Sequence, residues 1–315
     1  MSVLVREVVR PRWTFRLGPP SVDGLTRRRG DGLVRLLHVD GAPVVVAASG
    51  VVFAARAADD AAAREGIARM RFASGIDDDL EPFHERFRDD PLIGRAVRAR
   101  PWLRVRRNPD PWETLMWAIT EQLIDTPRAV AIQRRMIVKL GRRAEGLRDS
   151  PSAQTIADCA PAELEACGLA GKRALAMRRA AREVASGRVT FARGVPGAAA
   201  ASFSAAGLAP PRADFARLLA IREIGTWTVE MLALHGLGRH EVVPAGDLGY
   251  LKLVGRLTTG NPKAVADEAE VRGFFAPYAP WAGLAAQYLI RARTTPAPRR
   301  VGTRWSAAAP RRAAA

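Results

Sequence analysis

From about Leu80 to Ala292 the chain shows apolar residues at helical spacing and no strand signal. That long run confines the fold to a mostly α architecture. Helices are expected at 79–88 and 91–99, followed by a basic extended link, Pro101 to Pro109. Asp110-Pro111 then opens a longer helix, with Asp at the cap and Pro at the first position. Its buried stripe is Trp112, Leu115, Met116, Ile119 and Leu123, and it ends near Ile124-Asp125. The next helix spans 126–140 and is closed by Gly141. Short helices follow at 152–157 and 161–167, then a long one at 171–186. That one turns Leu175, Met177, Ala180, Ala181 and Val184 inward and Lys172, Arg173, Arg178, Arg179 and Arg182 outward. A solvated face is the ordinary reading of those cations, and phosphate contact the other. Residues 192–210 are loop-like. The last helices are expected at 211–221, 226–237, 247–257, 264–274 and 279–292.

The first 56 residues are different. Leu33 to Val39 and Val44 to Ala48 form a hairpin about Asp40-Gly41, and Val51 to Ala55 follows. Val3 to Val9 and Trp13 to Leu17 are expected as strands separated by Pro11. A helix at 59–72 places Ala63, Ile67 and Met70 on one face. The organisation is thus a small N-terminal α+β domain with an antiparallel sheet (1–78), a helical unit (79–292), and a Pro/Ala/Arg-rich tail (293–315). The tail cannot bury a core and is expected to be disordered.

Net charge is +17, which points to a polyanionic partner. The lysines are only Lys139, Lys172, Lys252 and Lys263, so nearly all the positive charge is arginine. In an alanine-rich chain that can equally reflect nucleotide bias in the gene, and charge alone leaves the partner open. Cys159 and Cys167 form neither a metal spacing nor a disulfide framework, and they exclude a four-cysteine iron–sulfur cluster within this chain. No apolar run is long enough to cross a membrane, and Arg6 and Glu7 interrupt any N-terminal signal core. A cytoplasmic protein without metal or cofactor is expected.

The stretch Leu219 to Leu253 carries the chemistry. Arg222-Glu223-Ile224-Gly225 reads as a tight hairpin opening a helix (219–238 in all), whose free backbone N–H groups at the positive end of the dipole suit an anion. The loop 242–247 then delivers Asp247 to the mouth of another helix. A helix cap is the ordinary employment of Asp there, just as a plain helix–turn–helix junction is that of the hairpin.

The whole pattern adds to both. Ile224-Gly225-Thr226-Trp227-Thr228, Ala233-Leu234-His235-Gly236-Leu237-Gly238 and Val243-Pro244-Ala245-Gly246-Asp247-Leu248-Gly249 together resemble the signature of the helix-hairpin-helix DNA glycosylases, most closely the 3-methyladenine DNA glycosylase II type. Asp110-Pro111-Trp112-Glu113 through Glu121-Gln122-Leu123, Cys167 to Ala174, and Tyr278-Ala279-Pro280-Trp281 extend the resemblance over roughly 80–292. It implies a two-lobed helical unit with a cleft between the lobes and a small N-terminal sheet domain. The departure lies at Arg222 and Glu223, where the family usually carries Gly at both ends of the apolar residue and often Pro before it.

By the resemblance, Asp247 is the catalytic carboxylate, stabilising an oxocarbenium-like sugar as the base departs and orienting water. Trp227 and Trp281, with Tyr250 and Gln122, are the pocket residues, and an aromatic face suits a cationic alkylated base. Leu123 is the wedge that fills the gap left by the flipped base. Arg222, Ile224, Gly225 and Thr226 grip the DNA backbone. Trp227 stands where lyase-type relatives carry a nucleophilic lysine, so a monofunctional enzyme leaving an abasic site is implied. Asp247 has no paired carboxylate nearby in sequence, which suits bases that are already cationic. The expected partner is double-stranded DNA with alkylated purines, bound by a monomer. The competing readings are a helix-hairpin-helix DNA-binding protein without catalysis and a glycosylase for another lesion class.

Overall fold

Five antiparallel strands, β1 (Val3–Val8), β2 (Thr26–Arg29), β3 (Gly32–Val39), β4 (Ala42–Ser49) and β5 (Val52–Ala57), form one sheet in the order β1-β5-β4-β3-β2. The computed structural model describes residues 2–191 and 213–292, with the two-residue strands Phe203–Ser204 and Gly207–Leu208 between them. The tail 293–315 and most of the 192–210 stretch lie outside the described residues. The β3–β4 hairpin pairs Val39 with Ala42 across Asp40 and Gly41. Both turn residues have positive φ, 48° and 84°, which is the demand a two-residue hairpin makes and Asp-Gly meets. Helix α1 (Asp60–Ser74), capped by Asp59, lays Ala63, Ile67 and Met70 on the sheet.

The strand expected at 13–17 is absent. Its backbone acceptors are used otherwise: the guanidinium of Arg104 donates to the carbonyls of Thr14 and Trp13. The segment runs instead across the helical link, with Trp13 Nε1 donating to the carbonyl of Pro101, and β2 takes the sheet edge.

The far face of β3 meets the helical unit. Arg35, 2% exposed, pairs with Glu113 and lies 3.7 Å from Asp149. Asp149 also engages His38 at 2.9 Å and Arg142 at 2.7 Å. Burial pushes the Glu113 carboxyl up to about 8 against the pull of Arg35. This buried network fixes the sheet to the helix that ends at the candidate site.

The helices are α2 (Glu81–Phe87), α3 (Gly94–Ala99), α4 (Pro111–Glu121), α5 (Thr126–Leu140), α6 (Ala153–Asp158), α7 (Pro161–Glu165), α8 (Gly171–Ala185), α9 (Ala213–Leu219), α10 (Thr226–Met231), α11 (Leu248–Thr259), α12 (Glu268–Phe275) and α13 (Ala282–Ala292). They bury two separate cores. One gathers Leu115, Met116 and Ile119 of α4 with Met136, Met177, Ile224 and Val229. The other gathers Phe83, Phe87, Tyr250, Leu253, Phe275 and Tyr288. The architecture is therefore two helical lobes with a small antiparallel sheet domain, in agreement with the sequence expectation. Among the described residues no helix is long and apolar enough to cross a membrane.

Two buried imidazoles give the fold an acid limit. His240, whose Nε2 lies 3.7 Å from Asp78 and forms no hydrogen bond, is held from the usual 6.5 down to about 4 by burial. His84 is lowered to about 4 for the same reason, aided by Arg104. The folded values lie below the unfolded one, so between them the unfolded chain binds a proton the fold refuses. Stability is therefore lost as pH falls from about 6.5 to about 4, with a ceiling of about 3 kcal/mol for His240. Denaturant midpoints across that range should drop for the wild type and drop less for His240→Gln. Parallel curves for the two proteins would refute the assignment.

Candidate active site and nucleic-acid interface

Helix α4 stops one turn earlier than its apolar pattern suggests. Gln122 leaves the helix with ψ 126°, and Leu123 enters the left-handed region at φ 54°. Leu123 is therefore not part of the buried stripe: it is 98% exposed. An isolated exposed leucine is unremarkable, but one held in a conformation costly to any residue with a Cβ is not. The strain persists because the preceding residue is pinned. Gln122 Nε2 donates to the carbonyl of Glu223 at 2.8 Å and to Thr228 Oγ1 at 2.9 Å. The Gln122 amide is thus bonded to protein partners. It joins the Leu123 turn to the hairpin.

The hairpin spans the end of α9 to the start of α10. Ile224 is 4% exposed and its N–H bonds the carbonyl of Ile221. It anchors the turn, with its side chain buried and its amide paired within the hairpin. Gly225 caps α10 with no side-chain bond to the first-turn amides, and a Cβ there would meet open space. The exposed positive end of the dipole is thus left to Gly225 and Thr226. Arg222 is exposed and lies 3.7 Å from Glu223, a surface pair of little energetic weight.

Glu223 has φ 76°. The backbone here asks for the glycine that the resembled family carries, and this chain supplies a charged residue. Glu223→Gly should therefore stabilise the fold by about 1 kcal/mol and tighten binding to duplex DNA several-fold by removing a negative charge beside the hairpin. Thermal melts and a salt series of affinities test it. Weaker binding by the glycine variant would remove the hairpin from the interface.

Asp247 caps α11. One carboxylate oxygen accepts from the Gly249 N–H at 2.8 Å, and a Cβ on Gly249 would stand 2.9 Å from that oxygen. The cap reading is thus correct as structure, and it consumes one of two oxygens. The carboxylate is half-buried, with the exposed Leu248 beside it. Trp227 reaches the same loop: a Cβ on Gly246 would lie 3.6 Å from its Cβ. The Trp227 indole is half-buried and its Nε1 forms no hydrogen bond.

Other expected pocket residues lie deeper or further off. Tyr250 is 3% exposed, its ring edge-on to Phe275 and its hydroxyl accepting from Gln287. It packs in the core of the second lobe. Trp281 is half-buried and packs edge-on to Phe83 and Phe87.

Sequence reasoning missed Glu230. This residue of α10 is 1% exposed. Its Oε2 accepts from the Ala245 N–H at 3.1 Å, and its Oε1 from Arg272 of α12 at 2.5 Å. Burial pushes its carboxyl up while Arg272 opposes. Glu230 ties the loop that delivers Asp247 to the hairpin helix. Its only sequence signal was a charge among apolar neighbours. His235, which offered no partner in sequence, bonds the carbonyl of Arg106 through Nδ1 at 2.7 Å.

No protein-family model matches the chain. A DNA-3-methyladenine glycosylase of Bacillus subtilis is 26% identical over 220 residues, covering 69% of this chain and 68% of that protein. A probable bifunctional transcriptional activator/DNA repair enzyme AlkA of Mycobacterium tuberculosis is 27% identical, covering 70% of this chain and 41% of its own length. In three dimensions the chain is similar to a 3-methyladenine DNA glycosylase from Archaeoglobus fulgidus, with TM-score 0.64, 19% identity, and 84% and 88% of the two chains covered. It is also similar to the apo form of the Clostridium acetobutylicum 8-oxoguanine glycosylase/lyase, with TM-score 0.63, 17% identity, and 91% and 95% covered.

Proposed function

We propose that this chain, built on the fold these glycosylases share, is a monofunctional DNA glycosylase of base excision repair that releases alkylated purines and leaves an abasic site. The observation that carries it is Leu123, a fully exposed apolar side chain held in a strained turn and fastened through Gln122 to the hairpin. A base-extruding enzyme needs such a wedge beside its backbone grip, and a plain DNA-binding protein does not. The names of the sequence relatives and structural neighbours support the glycosylase class.

In this mechanism the flipped nucleotide lies in the cleft beside Asp247. As the C1′–N bond lengthens, its electron pair moves to the base and positive charge gathers on the sugar. The free oxygen of Asp247 stabilises that charge and accepts a proton from the attacking water. A base alkylated at N3 or N7 leaves as a neutral molecule without prior protonation. The face of Trp227 offers it cation–π attraction, worth up to about 2 kcal/mol when desolvated. With Trp227 where a Schiff-base lysine would stand, no covalent attack on the sugar follows. No cofactor enters the scheme.

Incubation with methylated duplex DNA tests the reading. Release of 3-methyladenine and 7-methylguanine is expected, with no strand scission and no borohydride-trapped complex. A trapped complex would overturn monofunctionality, and the absence of both free bases would overturn the alkylation reading.

A further inference from the structure

We infer that the protein holds a second, separate binding site, a cavity between the sheet domain and the helical unit that takes a nucleoside monophosphate. The inference does not rest on the glycosylase reading above. The cavity encloses about 490 Å³, within the range of small-ligand sites. Five stretches meet around it: the segment before β2, the strands β2 and β3, the end of α1, the link 102–109, and the end of α13. Leu123, Trp227, Asp247 and the hairpin do not contribute to its wall.

Seven of the lining residues are arginines and none is an acid. Arg35 and Arg107 are paired with Glu113 and Asp78, which lie outside the wall, yet each keeps a buried Nε–H without a partner. Arg104 is the decisive one. It is 8% exposed, and its guanidinium donates to the neutral carbonyls of Gly75, Thr14 and Trp102. Among the described residues no carboxylate forms an ion pair with Arg104, nor with Arg16, Arg28 or Arg106. Burial holds the Arg104 guanidinium below its usual value, against the pull of Asp78. A buried cation without a counter-ion is costly, and an anion in the cavity removes that cost. The end of the chain does not supply one. Residues 293–315, which continue from α13, hold six arginines and no acid.

Guanidinium groups match the oxygens of a phosphate in pairs. A bare phosphate would engage only part of the wall. The remainder is apolar, with Leu17, Trp102 and Leu103 half-buried along it. The Arg16 guanidinium lies 5.6 Å from the centre of the Trp102 ring, so a planar apolar face stands beside a cation. A ligand anionic at one end and flat and apolar at the other engages both kinds of wall, and a nucleoside monophosphate has that form. It would touch both domains at once, so binding should also raise the melting temperature.

The experiment titrates the full chain, without DNA, with adenosine 5′-monophosphate, inorganic phosphate and adenosine, and follows heat and melting temperature. The nucleotide should bind at one site, and phosphate and adenosine at least about tenfold more weakly, since each engages only part of the wall. Arg16→Gln combined with Arg28→Gln should weaken nucleotide binding by about 10²-fold. Both side chains are exposed, so the fold is retained, and the melt of the free variant checks this. Arg179→Gln combined with Arg182→Gln, on the exposed face of α8, removes the same charge elsewhere and should leave the affinity unchanged. Four outcomes would overturn the proposal. They are no nucleotide binding at millimolar concentration, phosphate or adenosine binding as tightly as the nucleotide, full affinity in the Arg16 and Arg28 variant, or an equal loss in the α8 variant. Base release from methylated DNA is read separately, so a failure here leaves the glycosylase reading standing.

Discussion

Asp247→Asn should lower base release by about 10²–10³-fold while duplex affinity stays close to wild type. The geometry makes this substitution unusually clean. In the proposed mechanism Asp247 has two tasks, capping α11 through one oxygen and facing the sugar with the other. Asn is as good a cap as Asp, so its carbonyl oxygen keeps the Gly249 bond and the helix start is preserved. Only the charge is lost, and the charge is what opposes the oxocarbenium. Single-turnover release and a parallel binding titration separate the two. A variant that excises at the wild-type rate would show that the carboxylate is a cap and nothing more. A variant that binds DNA poorly and melts early would mean that the two tasks are not separable as described.

Leu123→Gly should have opposite effects on stability and activity. The side chain is 98% exposed, so its removal forfeits almost no buried area, and its φ of 54° is one that glycine adopts freely. The variant should be equally stable, or more stable by up to about 1 kcal/mol. Base release should fall by about 10- to 100-fold, because nothing then fills the stack when the base leaves it. Release from a mismatched or single-stranded lesion, where extrusion costs less, should fall less. An unaffected excision rate would dismiss the wedge, and a large loss of stability would show that Leu123 packs against something in the folded protein.

Much of this was legible in the sequence, for reasons that differ between elements. The β3–β4 hairpin was readable because Asp40-Gly41 meets a local stereochemical demand. The helical character of 80–292 was readable from its periodicity, and its division into two lobes from the resemblance to a known family. The resemblance to a known family drew attention to Trp227 and to the Pro-Ala-Gly-Asp loop, and the structure sets them side by side. Long-range satisfaction of polar groups was not legible. Nothing near Trp13 indicates that Arg104 takes the carbonyls a strand would need. Nothing near Gln122 indicates that its amide is spent on Glu223 and Thr228. The apolar stripe of α4 suggested that Leu123 is buried, because periodicity cannot see that Gln122 is pinned one residue earlier.

Glu230 gives the site a single point of adjustment. Its two oxygens hold the amide of Ala245 and the guanidinium of Arg272, so three stretches distant in the chain share one joint: the hairpin helix, the loop before Asp247, and α12. A tilt of α12 would be passed through this joint to the loop that carries Asp247, the carboxylate of the proposed mechanism. Changes on the outer face of α12, touching neither DNA nor base, therefore have a route to turnover. Tuning by evolution or by hand can enter there without altering any group that takes part in the chemistry.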